Sequence, residues 1–88
     1  MRASARVAWN LRRLRVQAGL SQEALAVDAG VDTSYVSRIE RGLENPTVGL
    51  LEQIANVLRA DVIEFFRTPD PDEQAPKPLK SGRRRNRE

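Results

Sequence analysis

Eighty-eight residues suffice for one small domain with a modest apolar core. The chain has no cysteine and no histidine, which excludes disulfide bonding, cysteine zinc sites and the commonest general base and metal ligand. Its formal charge of +3 balances 15 basic against 12 acidic side chains, and no apolar run approaches the roughly 20 residues of a membrane-spanning helix.

Met1-Arg2-Ala3-Ser4-Ala5-Arg6 is basic but lacks the unbroken apolar stretch that follows in a signal peptide. A soluble, cytoplasmic protein without metal, cofactor, membrane association or small-molecule ligand is expected. The first predicted element is a helix over about Ala5 to Ala18. There Val7, Leu11, Leu14 and Ala18 recur at helical spacing and form one apolar stripe, and Gly19 ends it. Trp9 and Val16 fall on the other face, with Arg12 and Arg13 between them. Trp9 has two readings: its ring rests along the Arg13 side chain as a cation–π contact, or it marks a partner surface.

Ser21 to Gly42 predicts two short helices folded against each other. Ser21 and Asp32 are N-cap types, each followed by helically spaced apolar residues. Gly30 between them supplies a left-handed turn. Leu25, Ala29, Val31, Val36 and Ile39 point inward, and Ala26 permits close approach of the helices. Ser34, Ser37, Arg38 and Arg41 are left on the outer face of the second helix. This is the pattern of a helix-turn-helix, whose second helix enters the major groove of DNA.

Gly42 ends this helix, and Leu43-Glu44-Asn45-Pro46 leads to Thr47, the predicted cap of a fourth helix running to about Arg59. Val48, Leu51, Ile54, Ala55 and Leu58 are its inward positions. Asp61 and Glu64 stand at capping-box spacing and open a short fifth helix, Val62 to Phe66, whose aromatic residues close the bottom of the core. After Arg67 the composition changes: four of the five prolines follow, interleaved with charges, and the run ends in Arg83-Arg84-Arg85-Asn86-Arg87. Residues 1–67 are therefore expected to form the helix-turn-helix domain, and residues 68–88 a disordered proline- and arginine-rich tail that cannot offset its ordering entropy. The tail holds six basic and four acidic side chains, leaving residues 1–67 at only +1. Affinity for DNA must then come from where individual arginines sit. Thirteen of the 15 basic residues are arginine; this suits bidentate phosphate and guanine contacts and equally fits a GC-rich genome. The terminal arginines either lie along phosphates, adding salt-sensitive affinity, or remain solvated.

From Val7 to Phe66 the chain resembles the phage repressor/Cro-like (XRE-type) helix-turn-helix transcriptional regulators. The resemblance is carried by Leu14-Arg15, Gly19 to Ala26, Ala29-Gly30-Val31, Tyr35 to Gly42 and Asn45-Pro46-Thr47, in order and spacing. It implies a compact, all-α, five-helix lambda-repressor-like domain, double-stranded DNA as partner and binding as a homodimer to a two-fold symmetric operator. Restriction–modification controller proteins are a plausible sub-class by size.

Within that resemblance Arg38 is the first candidate for reading a base, since arginine chelates guanine O6 and N7; the competing reading is a solvated surface arginine. Thr33 and Ser34 lie where the family places base-contacting side chains, and Ser37 follows one turn later. Gln22 is implied as a phosphate contact at a helix N-terminus. Arg41 and Asn45 are further phosphate candidates, with Asn45 alternatively only a turn former. Tyr35 either donates to a phosphate or packs on the fourth helix. The resemblance pairs Arg15 with Glu40 as a structural bridge. It also points to the fifth helix for dimerisation, with Arg59, Ile63 and Phe66 as candidates.

Two other function classes compete. A protein-interaction module would draw on Trp9 and the proline-rich segment. An enzyme lacks any proposed machinery in this sequence: there are no histidines, no cysteines, no paired carboxylates in a plausible cleft and no glycine-rich phosphate loop.

Overall fold

The structure, a computed structural model, describes residues 1–70 and 73. Among them are four α-helices, α1 (Ala3–Gln17), α2 (Gln22–Ala29), α3 (Thr33–Glu40) and α4 (Val48–Leu58), followed by a 3-10 helix, Val62–Phe66. The described residues form no strand, and no helix among them is long and apolar enough to cross a membrane. α1 packs against α3 and the 3-10 helix, and α2 against α3 and α4. The expectation for residues 68–88 falls mostly outside the described residues.

The core gathers Val7 and Leu11 of α1, Leu25 of α2, Val36 and Ile39 of α3, Leu51 and Ile54 of α4, and Phe65. Leu14 and Ala18 complete the α1 stripe as half-buried members. Two residues expected inside are not. Val48 is 72% exposed, because it opens α4, one position after the cap, where the helix has not yet reached the core. Phe66 is 42% exposed, so Phe65 alone of the two closes the core.

All four α-helices end alike. A residue one or two positions past each helix carries a left-handed backbone, and paired bonds run back to the last turn: Gly19 N to the Val16 carbonyl with Leu20 N to Arg15, and Gly42 N to Ile39 with Leu43 N to Arg38. These are Schellman closures, which satisfy carbonyls that have no intrahelical partner. α4 makes the same closure without glycine: Arg59 takes φ 56, with its N–H on the Asn56 carbonyl and Ala60 N on Ala55.

The N-termini are less uniform. Ser21 Oγ accepts from Ala24 N, and Thr47 Oγ1 from Leu50 N, both at 3.0 Å. Asp32 stands at the N-cap of α3 with extended backbone but makes no side-chain capping bond, contrary to its residue type. The Asp61–Glu64 capping box is also not formed. Asp61 Oδ1 accepts from Ile63 N, whereas the Glu64 carboxylate turns to Arg13 Nη2, 3.1 Å away.

The fifth element is a 3-10 helix and not a fifth α-helix, with Glu64 N donating to the Asp61 carbonyl three residues back. Its carbonyls are taken by side chains of α1 instead of by a following turn. Asn10, fully buried, donates from Nδ2 to the carbonyls of Phe65 (3.0 Å) and Arg67 (2.8 Å) as well as to Arg6 of its own helix. Arg13 Nη2 reaches the Glu64 carbonyl and its Nε binds Asn10 Oδ1, while Arg6 Nη1 lies 3.4 Å from the Phe66 carbonyl.

Removing the Asn10 amide strands these buried acceptors. Asn10→Ala is expected to lower the unfolding free energy by about 2–3 kcal/mol in chemical denaturation; an unchanged transition midpoint would show that the amide holds nothing. Arg59→Gly is expected to raise stability by about 0.5–1 kcal/mol, because glycine takes the left-handed backbone without the Cβ clash. A lower thermal midpoint for this variant would contradict the strain assigned to Arg59.

Candidate nucleic-acid interface

α2 and α3 are joined at Gly30, whose φ of 74° turns the chain sharply enough to lay one helix across the other. Burial of Val36, Ile39 and Glu40 fixes which side of α3 faces inward. The 100° step of a helix then places Ser34, Ser37, Arg38 and Arg41 together on the opposite side. Ser34 and Arg41 are exposed, whereas Thr33, Ser37 and Arg38 are half-buried.

Glu40 is the anchor of this helix. Its side chain is wholly buried, and its partner Arg15 is only 3% exposed. Arg15 Nε binds Oε2, and Arg15 Nη2 binds Oε1 at 3.0 Å, a two-pronged pair between α1 and α3. The third prong, Arg15 Nη1, donates to the Leu20 carbonyl at 2.8 Å, in the turn before α2. One guanidinium therefore ties α1, the α1–α2 turn and α3 together.

Two further donors converge on Glu40 Oε1. Gln22 Nε2 lies 3.1 Å away and Arg12 Nε 3.4 Å. Gln22, at the first turn of α2, thus spends an amide proton inside the protein and is held against the α3 end. Arg12 was not singled out as a partner of Glu40 in the sequence. Its signal was position: it precedes Arg15 by three residues, close to the same face of α1.

Arg38 is also engaged. Its Nε donates to Glu44 Oε2 at 2.8 Å, and its guanidinium lies 5.5 Å from the Tyr35 ring centre. Tyr35 packs at the margin of the core, so its ring is a fixed platform. Arg41 and Asn45 are exposed, and neither side chain forms an ion pair or hydrogen bond among the described residues.

Trp9 does not stack on Arg13, which is buried and committed to Asn10 and Glu64. Instead the half-buried indole lines a cleft of about 280 Å³ between the start of α1 and the end of α3, with Ala5, Ala8, Arg12 and Gly42. Arg59 and Ile63 are exposed, Ile63 to 67%, and Phe66 lies near them in sequence with 42% of its surface free.

A family profile described as a helix-turn-helix domain matches residues 6–65, which span α1 to Phe65. The chain belongs to the helix-turn-helix family. Its relatives are named as HTH-type transcriptional regulators. SlrR of Bacillus subtilis is 40% identical over 57 residues, covering 64% of this chain and 38% of SlrR. The regulator y4dJ of Sinorhizobium fredii is 38% identical over 64 residues, covering 73% of this chain and 83% of that protein. This chain therefore matches much less than two thirds of SlrR. Among solved structures, the restriction-modification controller protein C.AhdI of Aeromonas hydrophila superposes with a TM-score of 0.69 at 38% identity, over 72% of this chain and 91% of its own. A hypothetical transcription factor from Neisseria gives a TM-score of 0.74 at 35% identity, over 77% of this chain and 78% of its own. The helix-turn-helix of this chain is thus of the XRE, SinR and controller-protein type.

Truncating the anchor leaves Arg15 buried without its carboxylate. Glu40→Ala is expected to cost about 3–5 kcal/mol of unfolding free energy, read from equilibrium denaturation; equal midpoints for variant and parent would remove the anchor role.

Proposed function

We propose that this chain is a sequence-specific regulator of transcription that places α3 in the major groove of double-stranded DNA. The observation that carries the reading is the two-sidedness of α3. Val36, Ile39 and Glu40 fasten one side to the domain, while Ser34, Ser37, Arg38 and Arg41 crowd the other. The names of the related regulators support the same reading.

In this account Arg38 reads guanine through paired N–H donors. Thr33, Ser34 and Ser37 are short, so they read through methyl groups or bridging water at the start and middle of the helix. Arg41 and Asn45, both exposed, bind phosphates beyond the end of α3. Tyr35 offers its hydroxyl to a phosphate at the flank. Gln22 adds a phosphate contact at the N-terminus of α2, where unpaired backbone N–H groups favour anions. Its donation to Glu40 uses one of two amide protons, leaving the other for the phosphate.

Residues 1–67 constitute the DNA-binding unit. The protein acts as a homodimer through Arg59, Ile63 and Phe66, since Ile63 and Phe66 expose apolar surface at the end of the domain. Two copies then meet a two-fold symmetric operator with half-sites about 34 Å apart, one helical turn of DNA.

Selection of preferred sites from random duplex DNA tests the function directly. A recovered palindrome with that spacing is expected, and enrichment of no sequence at all would reject the reading. On the selected site, Arg38→Ala is expected to cost about 1–3 kcal/mol and to relax preference at one base pair of each half-site. Retained preference at every position would remove Arg38 from the set of base readers.

A further inference from the structure

We infer that Glu44 is a specificity-determining positioning residue, which holds the Arg38 guanidinium in the one orientation that reads guanine end-on. This rests on the proposed role of Arg38 and adds to it a residue outside the recognition helix.

An arginine can offer guanine two different pairs of N–H donors: the side edge, Nε with one Nη, or the end, both Nη groups. Glu44 Oε2 occupies Nε at 2.8 Å. The side edge is therefore closed to a base while this bond stands, and the end remains. Tyr35 constrains a second degree of freedom, because its ring lies beneath the guanidinium, 5.5 Å from Cζ. The Arg38 side chain keeps 40% of its surface exposed, so the Nη end has room to meet a ligand.

The fold supplies Glu44 deliberately. Leu43 N donates to the Arg38 carbonyl and Gly42 N to the Ile39 carbonyl, which folds the chain back along the last turn of α3. Glu44 follows that closure and comes to lie beside a residue six positions earlier. Pro46, two residues on, restricts the loop that carries it.

The charge matters as well as the bond. An unpaired arginine is drawn to any phosphate, whatever the sequence. Paired with Glu44, Arg38 has its charge offset locally, and a carboxylate close to DNA repels the backbone. Glu44 accordingly trades sequence-blind attraction for discrimination.

The test uses the full chain and the duplex selected from random DNA, with each base pair of one half-site substituted in turn. Glu44→Ala is expected to reduce discrimination at the Arg38 base pair by roughly two- to tenfold, the range for ordering one long side chain. It is also expected to raise affinity for unrelated duplex and steepen its fall with salt. In the Arg38→Ala background, Glu44→Ala should leave base preference unchanged. Glu44→Gln keeps an acceptor without the charge, so it should retain more discrimination than alanine while still strengthening non-specific binding. If Arg38→Ala relaxes one base pair but Glu44→Ala keeps full discrimination there, the positioning role is overturned and the Arg38 reading stands. If Arg38→Ala relaxes none, both fall together. A loss of thermal stability in Glu44→Ala without any change in base preference likewise overturns the inference, since it assigns Glu44 to loop structure alone.

Discussion

The buried pair of Arg15 and Glu40 is the constraint on which the candidate interface depends. A carboxylate with no solvent contact is costly unless every lone pair finds a donor. Here Arg15, Arg12 and Gln22 supply them. The cost of burial becomes a source of position, because the donors come from two other helices and hold α3 at its C-terminal end. Arg15 extends the constraint to the turn before α2 through the Leu20 carbonyl. Both helices of the helix-turn-helix are therefore referenced to one guanidinium.

A second polar cluster performs the corresponding task on another face of α1. Asn10, Arg13 and Arg6 bind successive carbonyls of the 3-10 helix, and Phe65 seals the core beneath them. α1 is thus a two-sided bracket, with its apolar stripe in the core and its polar groups gripping α3 and the 3-10 helix. Ile63 and the edge of Phe66 stay outside this grip, which makes them available as the proposed dimer surface.

Much of this was legible in the sequence because it depends on local chemistry. Apolar spacing placed the four α-helices to within about two residues, and the glycines after α1, α2 and α3 marked their ends. What was not legible depends on tertiary contacts. Arg59 closes α4 in a conformation its residue type disfavours, and nothing in its neighbours announces that. Trp9 and Arg13 have the spacing of a stacked pair, yet Arg13 is drawn inward by Asn10 and Glu64. Asn10 did leave a trace, as a polar residue set into the apolar stripe of α1 between Val7 and Leu11. Within the site, Arg38 was singled out by its side of the helix, whereas Glu44 lies across a turn, and only the folded chain brings the two together.

How α3 is held depends on whether Arg15 and Glu40 act as one unit. A double-mutant cycle of Arg15→Met and Glu40→Met, followed by equilibrium denaturation, measures this most directly. Each single variant should lose more stability than the double variant, whose apolar pair leaves no charge stranded, giving a coupling of about 2 kcal/mol or more. Additive losses, with coupling near zero, would show that α3 is held by its apolar contacts alone.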